Sequence, residues 1–413
     1  MRGRRLRSVD EANLVLDRPN QVNVFLATGI LAPGGFVDSA GHLDVDALRD
    51  HLERRLPLVP ALRRVPVGDR RHKWVDRTPD LAFHVRVEPP WADLHDVATR
   101  CAHLMTVPLS YQRPLWELLV ARQSNSRNAC FILRIHHATA DGVSAARITR
   151  RLFDEDDPAP APARTERGER PPDTPIAALR RALFGARRVV STLRAHGIPD
   201  TVLLGPRSPH HGIAFLDADL TGIGSSAHRR GATINDALLC AAAAGYRAAL
   251  QSAGEDLPAE LAVSVPVALP RHDEANAVGV MLVRLPLHGG TEDRLRRIVA
   301  QTQAAKIQAR EQGTLELMRG PYGAHLMDRI ARRQHLVGGF VTNVPGPARA
   351  MSLAGAPVTR VWPAAVLAAN VRMGMAAVSY AGRLCCGIHV DLDAIDLAAV
   401  TAAVERDLTY FAQ

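Results

Sequence analysis

Two adjacent histidines, His136 and His137, end a short apolar stretch, and an Asp-Gly pair follows them after three residues. The apolar stretch Phe131–Ile135 predicts a β-strand, in which neighbouring side chains point to opposite faces. His137 therefore shares a face with alternate apolar residues of the strand, and His136 points the other way. Side chains on opposite faces are poor ligands for one metal ion, so no metal site is predicted. The pattern favours a single imidazole, His137, at the inner end of a core strand and available for proton transfer near neutral pH.

The pair Asp141-Gly142 is predicted to shape the turn that follows this strand. Aspartate is common in turns, and glycine permits backbone angles that other residues resist. The chain contains 17 histidines, so a structural role competes with a catalytic one, and the Asp-Gly pair at this spacing favours catalysis. A second pair, His210-His211, lies among serine, proline and glycine without an Asp-Gly partner, and is interpreted as part of a surface loop.

The composition is that of a globular protein with room for two domains. The chain has 413 residues, of which 47% are hydrophobic and 23% are charged. No apolar run is long enough to cross a membrane, and the basic N-terminus lacks the apolar segment of a secretory signal. Scattered cysteines favour reduced thiols over a disulfide framework, so a cytoplasmic location is expected. These cysteines are Cys101, Cys130, Cys240, Cys385 and Cys386.

The net charge of +9 is compatible with several anionic partners. A basic excess suits nucleic acid, an anionic membrane surface or an acidic cosubstrate such as coenzyme A. Aromatic residues make up only 4% of the chain, so the base-stacking platforms of nucleic-acid-binding proteins are not expected. Peripheral contact of the N-terminus with anionic lipid stays open, beside the alternative of a solvated terminus. The residues concerned are Arg2, Arg4, Arg5 and Arg7.

Helical and strand patterns alternate along the chain and predict an α+β fold in two halves of similar content. They include a strand at 83–87, helices at 176–195 and 397–411, and a hairpin that turns at Ala381-Gly382. Residues 44–56 form an amphipathic helical pattern that Pro57 ends. The segment 154–175 is charged, rich in proline and almost free of large apolar side chains, so it cannot contribute to a core. We therefore expect an N-terminal lobe at 1–153, a linker at 154–175 and a C-terminal lobe at 176–413.

The His-His-x-x-x-Asp-Gly sequence resembles the signature of a superfamily that includes chloramphenicol acetyltransferase, peptide-synthetase condensation domains and the bacterial wax ester synthase/diacylglycerol acyltransferases (WS/DGAT). Further stretches resemble motifs of the WS/DGAT family and occur in that family's order. Together they cover nearly the whole chain, and several independent matches are more specific than any one of them. The matching stretches are Ser8–Ala12, Leu56–Arg63, Pro114–Glu117, Thr233–Asp236, Ser264–Val267, Asn343–Pro347 and Ser379–Leu384.

This resemblance implies two chloramphenicol-acetyltransferase-like lobes, each a mixed sheet flanked by helices, with the active site at their interface. It implies that His137 is a general base where two tunnels meet, one for an acyl thioester and one for the acceptor. No cofactor would be bound; the cosubstrate would be an acyl-CoA or acyl-carrier-protein thioester, and the acceptor an alcohol or amine. His136 would support the strand. Asp141 would form a buried ion pair that fixes the loop, with Arg134 or Arg271 as its partner.

The matching positions also supply candidates for substrate binding, each with a structural alternative. Asn235 either faces the active site or caps the helix that opens near Thr233. Asn343 and Ser379 either donate hydrogen bonds to an oxyanion or serve as turn and strand residues. The full set of candidates is Trp116, Asn235, Asp236, Asn343, Arg372 and Ser379.

Trp116 and Arg372 are expected to have different roles near the acceptor pocket. Trp116 is expected to pack in the core, with a hydrogen-bond partner for its indole, rather than to contact a ligand. Arg372 departs from the family pattern, because Asn370–Met375 stands where a glycine-rich tract is expected, and the chain is shorter than the typical member. In the family this region is expected to line a pocket for apolar alcohols, and the positive charge of Arg372 there would favour a polar acceptor instead.

The motifs, and the departures from them, leave three candidate functions for the protein. The first is an acyltransferase that makes wax esters or triacylglycerol from acyl-CoA. The second is a condensation-type enzyme of specialised metabolism that joins a CoA- or carrier-bound acyl group to a polar hydroxyl or amine. The third is a non-catalytic scaffold of the same fold, which the intact His137 and Asp141 disfavour. A thiol enzyme using Cys385 or Cys386 near His389 is also disfavoured, because small cysteines are common in core strands.

Overall fold

The computed structural model describes residues 4–6, 8–18, 21–68, 72–154, 198–268, 278–309 and 332–413. The greater part of the predicted linker, 155–175, lies outside the described residues, as do the helical patterns predicted at 176–195. The division into two lobes and a linker therefore stays a prediction.

The first half of the chain builds one mixed sheet and the helices that cover it. Helix α2 shows how the sequence sets these elements: the Asp44 carboxylate caps it by accepting the Ala47 amide at 3.0 Å, and its buried face holds Leu48 and Leu52. Two 3₁₀ turns, Leu56–Leu58 and Pro60–Arg63, follow it where the prolines end the α-helical pattern. The elements are β1 (Arg4–Arg5), α1 (Ser8–Val15), β2 (Val24–Leu31), α2 (Val45–Arg55), β3 (Arg64–Val67), β4 (Lys73–Asp76), α3 (Leu81–His84), β5 (Val85–Val87), α4 (Leu94–Leu104), β6 (Trp116–Arg122), β7 (Ala129–His136) and α5 (Gly142–Leu152).

Strand β7, which carries the histidine motif, lies inside a six-stranded sheet of order β5-β6-β7-β2 plus two strands from the second half. It is antiparallel to both neighbours, with His136 opposite Val24 on β2 and Ile135 opposite Trp116 on β6. Every residue of β7 is buried, as expected of a strand that is covered on both faces. Its alternate side chains enter two separate cores, so Phe131, Leu133 and Ile135 share one face, as predicted.

The second half builds another six-stranded sheet, of order β10-β9-β11-β14-β15-β8. Its core is covered by long helices, and the last helix, which begins after the capping carboxylate of Asp396, packs along the helix Ile234–Ser252. The elements are β8 (His211–Asp219), α6 (Leu220–Arg229), α7 (Ile234–Ser252), β9 (Glu260–Ala268), β10 (Val278–Pro286), α8 (Thr291–Ala309), β11 (Gly339–Val344), β12 (Ser352–Leu353), β13 (Ala356–Ala364), β14 (Met373–Tyr380), β15 (Arg383–Asp391) and α9 (Leu397–Ala412).

Strand β13 ties the two halves together. It belongs to the second half by sequence, yet it pairs with β2 in the first sheet, where Ala364 lies opposite Leu26. The sequence pattern did not predict this strand, because Pro357 and Pro363 argue against a paired strand and a bulge interrupts the register near Val358. The lobes therefore meet along a shared strand.

Two predicted elements differ in the structure. The predicted strand at 83–87 is divided, because Asp80 caps the short helix α3 and only β5 is extended. The pair His210-His211, predicted to lie in a surface loop, is also divided: His210 is exposed, whereas His211 begins β8.

Candidate active site

His137 is the first residue after β7, and neighbours on the first sheet hold its backbone. Its amide donates to the carbonyl of Asn23 at 2.8 Å. Its carbonyl accepts from the Asn13 side chain at 3.3 Å, and the Asn23 side chain in turn donates to Asn13 Oδ1 at 2.8 Å. The imidazole packs edge-on against the Phe25 ring, with 5.3 Å between centroids. These contacts fix the ring at the end of the strand.

The imidazole of His137 combines burial with unengaged ring nitrogens. Its pKa is lowered to about 4, chiefly by burial and also by the neighbouring His136, while Asp141 opposes the shift. The ring is therefore neutral at pH 7 and carries one lone pair. Within the described residues no hydrogen bond engages either ring nitrogen, and the residue keeps part of its surface accessible.

His136 has a structural environment. It is fully buried, its Nε2 donates to Asp17 Oδ2 at 3.0 Å, and its Nδ1 accepts the Ala138 amide at 2.9 Å. The same Asp17 carboxylate accepts from the Tyr111 hydroxyl at 3.0 Å and from the Asn23 amide at 2.7 Å. Both nitrogens of His136 are thus occupied by hydrogen bonds within the fold, and its role as a support of the strand stays a prediction.

Asp141 caps helix α5: its Oδ1 accepts the Ser144 amide at 2.7 Å. The predicted ion pair with Arg134 is wrong, because the buried guanidinium of Arg134 pairs with Glu117 at 3.2 Å and also donates to the carbonyl of Val107. The other predicted partner, Arg271, lies outside the described residues.

Gly142 does not have the unusual backbone angle that we predicted, since its φ lies outside the left-handed region. Its position instead reflects close packing between the lobes. A Cβ atom at Gly142 would lie 3.4 Å from Cγ2 of Val344 at the end of β11. The first turn of α5 therefore meets the second sheet at a point where only a small residue fits easily.

The Asn235-Asp236 pair has divided roles. Thr233 is the cap of α7, and it forms a capping box with Asp236. The buried Asp236 carboxylate also accepts from the Thr302 hydroxyl at 2.7 Å, so hydrogen bonds within the lobe occupy both of its oxygens. Asn235 is half-buried and does not cap the helix, so the capping alternative is wrong for this residue.

Asn343 and Ser379 lie on neighbouring parallel strands of the second sheet. Asn343 pairs in register with Ala377 on β14, two residues before Ser379. The Ser379 hydroxyl oxygen accepts the Gly346 amide at 3.0 Å, and thus braces the turn after β11. Both residues are half-buried, near the strand end that faces Gly142.

Trp116 packs in the core, as predicted. It is fully buried, and its Nε1 donates to the Leu62 carbonyl at 2.9 Å. Its ring stacks on His84 with 4.6 Å between centroids. A side chain with no exposed surface supports the sheet rather than contacting a ligand.

Arg372 is held by the second lobe. Its guanidinium donates to the Pro206 carbonyl at 2.8 and 3.0 Å and lies 3.7 Å from the buried carboxylate of Asp391. Its charge is therefore compensated, which removes the reason for expecting a polar acceptor.

The cysteine alternative has no support in the geometry. Cys385 and Cys386 are fully buried, and burial raises the pKa of Cys385 to about 11 and that of Cys386 further. The nearby His389 does not serve as a base for them. Its Nδ1 lies 2.8 Å from the carbonyl of Ala365, and its Nε2 lies 2.8 Å from Nδ1 of His211.

Asn13, Asp17 and Asn23, which position the His-His pair, were not found from the sequence. Each is an isolated polar residue far from the motif along the chain, and no spacing links it to β7. The one available signal was the Ser8–Ala12 stretch, since the helix that begins there carries Asn13.

Among the described residues, none of the helices combines the length and apolar character needed to cross a bilayer.

Two family models match the chain: the wax ester synthase/diacylglycerol acyltransferase catalytic domain over residues 6–238 and the WS/DGAT C-terminal domain over residues 274–411. A Mycobacterium tuberculosis protein named as a diacylglycerol O-acyltransferase is 26% identical over 93% of this chain and 85% of its own. The solved wax ester synthase/diacylglycerol acyltransferase of Marinobacter aquaeolei has a TM-score of 0.75 at 21% identity, with 98% of each chain covered.

A starter condensation domain of rhizomide synthetase, solved with C8-CoA and Leu-SNAC, has a TM-score of 0.60 at 14% identity over 99% of this chain and 94% of its own. These structural likenesses show the predicted fold, two sheet-containing lobes of the chloramphenicol-acetyltransferase type. The catalytic-domain model alone covers more than half of the chain. The protein therefore belongs to the wax ester synthase/diacylglycerol acyltransferase family and is an acyltransferase.

Proposed function

We propose that the protein transfers an acyl group from a thioester to an acceptor hydroxyl, with His137 as the general base. The observation that carries this proposal is the state of the His137 ring, which is neutral at pH 7, held rigidly at the end of β7 and without a hydrogen bond to its nitrogens among the described residues. A general base needs this combination of a free lone pair and a fixed position.

The reaction needs no acyl-enzyme, because both substrates can react directly. His137 takes the proton of the acceptor hydroxyl as its oxygen bonds to the thioester carbonyl carbon. The resulting oxyanion requires hydrogen-bond donors, and Asn343 and Ser379 are our candidates. The Ser379 oxygen already accepts one hydrogen bond, and its own proton is still available to donate. The intermediate then collapses, the carbon–sulfur bond breaks, and the thiolate takes the proton from His137.

An apolar alcohol or diacylglycerol is the acceptor that we favour. The relatives are named as diacylglycerol O-acyltransferases, and Arg372, the residue that spoke for a polar acceptor, is compensated by Asp391. Acyl-CoA is the donor that we favour over a carrier protein, because a structural neighbour was solved with C8-CoA.

The test is an assay of purified protein with palmitoyl-CoA and hexadecanol, with CoA release and ester formation both measured. We expect His137→Asn to lower turnover by about 10²- to 10⁴-fold, the usual range for loss of a general base. The thermal midpoint of the variant should stay close to that of the parent, since no ring hydrogen bond is lost among the described residues.

The matched control is His228→Asn, which changes an exposed histidine on α6 and should retain turnover. Equal turnover in the His137 variant and the parent would contradict the proposal. A panel of polar alcohols and amines in the same assay separates the condensation-type alternative, which predicts turnover with those acceptors and none with hexadecanol.

A further inference from the structure

The two peptide groups on either side of His137 have all four of their polar atoms in hydrogen bonds. Three of the acceptors are carbonyl oxygens, whose capacity to accept does not depend on the position of a proton. These three bonds run from the His137 amide to Asn23 at 2.8 Å, from the Thr139 amide to His136 at 2.9 Å and from the Asn13 side chain to His137 at 3.3 Å. The fourth acceptor is an imidazole nitrogen, Nδ1 of His136, which receives the Ala138 amide at 2.9 Å. The hold on the His137 backbone therefore depends on which nitrogen of His136 carries the proton.

The bond from Ala138 requires a lone pair on Nδ1 of His136, so the proton of the neutral ring must lie on Nε2. In an imidazole, the hydrogen bond that one nitrogen makes decides the state of the other. The Asp17 carboxylate supplies the acceptor that the Nε2 proton needs, since its Oδ2 lies 3.0 Å from Nε2. The His136 side chain has no exposed surface, so water does not replace this carboxylate. Asp17 thus selects the tautomer that holds the Ala138 amide.

Asp17 is fixed in turn by two further donors. Its Oδ1 accepts the Asn23 amide at 2.7 Å, and its Oδ2 accepts the Tyr111 hydroxyl at 3.0 Å. The Asn23 carbonyl receives the His137 amide, so Asn23 is bonded to both Asp17 and His137. These bonds hold the carboxylate against His136.

We propose that Asp17 is a positioning residue for acyl transfer, which places His137 by keeping the proton of His136 on Nε2. This inference rests on the proposed function, in which His137 is the general base. His136 and His137 point to opposite faces of the strand, so Asp17 lies behind the base and its effect reaches the reaction through His136. A displaced base lowers the rate even when the substrates still bind. Loss of Asp17 is therefore expected to act on kcat rather than on KM.

The substitution Asp17→Asn keeps the size of the side chain and reverses one of its hydrogen bonds. The backbone amide of Asn23 can only donate, so the oxygen of the new side-chain amide must face it. The Tyr111 hydroxyl can turn to the Leu14 carbonyl, which lies 3.2 Å from it. The NH2 group of the new side chain is therefore left to face Nε2 of His136.

A donor that faces Nε2 moves the ring proton of His136 to Nδ1. The Nδ1 proton then meets the Ala138 N–H, so two donors face each other and the peptide bond after His137 has to move. We expect kcat with palmitoyl-CoA and hexadecanol to fall about 10- to 100-fold in Asp17→Asn, which is the scale of a catalytic group displaced by about 1 Å. KM for both substrates should stay unchanged.

Solid-state NMR of protein labelled with ¹⁵N in its histidines reports the tautomer without turnover, because protonated and unprotonated ring nitrogens have different chemical shifts. The signals of His136 are those that disappear in His136→Asn. We expect the proton on Nε2 in the parent and on Nδ1 in Asp17→Asn. The parent spectrum is a test that does not need the Asp17 variant to fold, since a proton on Nδ1 in the parent would overturn the inference.

Tyr111→Phe is the matched control, because it removes a different hydrogen bond of the same carboxylate. The bond between Asp17 and His136 stays, and the phenyl ring can keep the edge-on contact with His136, at 6.1 Å between centroids. We expect the tautomer and the kcat of the parent in this variant. An equal loss of kcat in Tyr111→Phe and Asp17→Asn would show general damage to the packing and would overturn the inference.

A double-mutant cycle with His136→Asn separates the action through His136 from any other effect of the carboxylate. An asparagine side chain accepts the amide two residues ahead, as in an Asx turn, and it has no tautomers. It can therefore hold the Ala138 amide without Asp17. We expect the double variant to turn over as fast as His136→Asn alone. A further loss as large as that in the parent background would show that Asp17 does not act through His136.

Failure of the proposed function gives a different result from failure of this inference. No turnover in the parent, with the expected tautomers in the parent and in Asp17→Asn, would count against acyl transfer alone. Normal turnover in the parent, with kcat and tautomer unchanged in Asp17→Asn, would overturn the inference and leave the proposed function intact.

Discussion

The two adjacent histidines differ because of their neighbours. His136 has both ring nitrogens engaged, one by Asp17 and one by the Ala138 amide. The His137 ring packs against Phe25 and has no hydrogen bond to its nitrogens among the described residues. Alternation along a strand, the simplest rule of β-structure, thus separates a structural imidazole from one that is free to act.

The lowered pKa of His137 makes a prediction about the pH profile. A base with a pKa of about 4 keeps its lone pair well below the ordinary histidine value of 6.5. We therefore expect the acid limb of kcat/KM to lie close to pH 4, with activity little changed between pH 5.5 and neutral pH. Initial rates at low substrate concentration across this range give the profile. An acid limb near 6.5 would show that the free enzyme holds His137 in a far more hydrated site.

For individual residues, the sequence predicted those that belong to a recognisable motif. It failed where the role of a residue depends on contacts with residues that are distant in sequence. The buried, hydrogen-bonded indole of Trp116 followed from residue chemistry, whereas the general-base role of His137 and the supporting role of His136 stay predictions. The partner of Asp141 did not follow from the sequence, because a carboxylate before a helix either caps it or pairs with a cation, and only the fold decides. Asp17 carries no local signal at all.

At the scale of elements, helix α5 carries the motif towards the second lobe, and Gly142 is its point of contact. The φ of this glycine is accessible to other residues, and an added Cβ would be in ordinary contact with Val344. We expect Gly142→Ala to change the free energy of unfolding by less than about 1 kcal/mol. Gly142→Leu should lower it by about 1–3 kcal/mol through overpacking and should also lower kcat.

Urea unfolding and steady-state kinetics of the two variants check this prediction. Equal damage from alanine and leucine would mean that the glycine is needed for its backbone and not for the space beside Val344.

At the start of helix α7, two neighbouring residues have different predicted roles: Asp236 in stability and Asn235 in substrate binding. Asp236 accepts hydrogen bonds from Thr233 and Thr302 in the core, so Asp236→Ala should lower the free energy of unfolding by about 2–3 kcal/mol. Asn235 is not part of the cap. Asn235→Ala should change the free energy of unfolding by less than about 0.5 kcal/mol, because this side chain takes no part in the cap. It should lower kcat/KM about tenfold, because we assign Asn235 to substrate binding. The reverse pattern in unfolding and kinetic measurements would refute both assignments.

The elements that the sequence predicted well have strong local signals. Helices α2 and α9 combine an apolar stripe with a capping aspartate, and the β14–β15 hairpin has its turn at Ala381-Gly382. Strand β13 was missed because its register is set by β2 from the other half of the chain, and its prolines weaken the local pattern. The start of β8 at His211 was missed because its stabilising partner, His389, is distant in sequence.

At the scale of the whole molecule, several contacts join the lobes beside the candidate site. Strand β13 extends the first sheet, helix α4 packs on β8, and the Phe215 ring stacks on Trp362 at 5.6 Å. Arg207 donates to the carbonyl of Ala369 at 2.7 Å and also to the side chain of Gln21 across the lobes. The relative position of the two sheets therefore depends on these contacts.

The His211–His389 pair lies in this same region, because His389 donates to the Ala365 carbonyl directly after β13. The pKa of His389 is lowered to about 3, chiefly by burial and also by the neighbouring His211 and Arg207, while the hydrogen bond to Ala365 opposes the shift. Burial also lowers the pKa of His211. Both rings are thus neutral in the folded protein, whereas in the unfolded chain each takes up a proton near 6.5.

This difference predicts a loss of stability in acid. A histidine whose pKa is lowered by folding contributes its full stability above the unfolded value of about 6.5 and loses it as the pH falls towards the folded value. We expect the free energy of unfolding to fall between neutral pH and pH 4.5, with His389 contributing on the order of 2–3 kcal/mol. In His389→Asn, unfolding in urea should start from a lower stability at neutral pH and fall less steeply on acidification, because one proton-binding difference is gone. The exposed His228→Asn variant should keep the parent's slope, and an identical slope in His389→Asn would show that this ring does not stay neutral where the lobes meet.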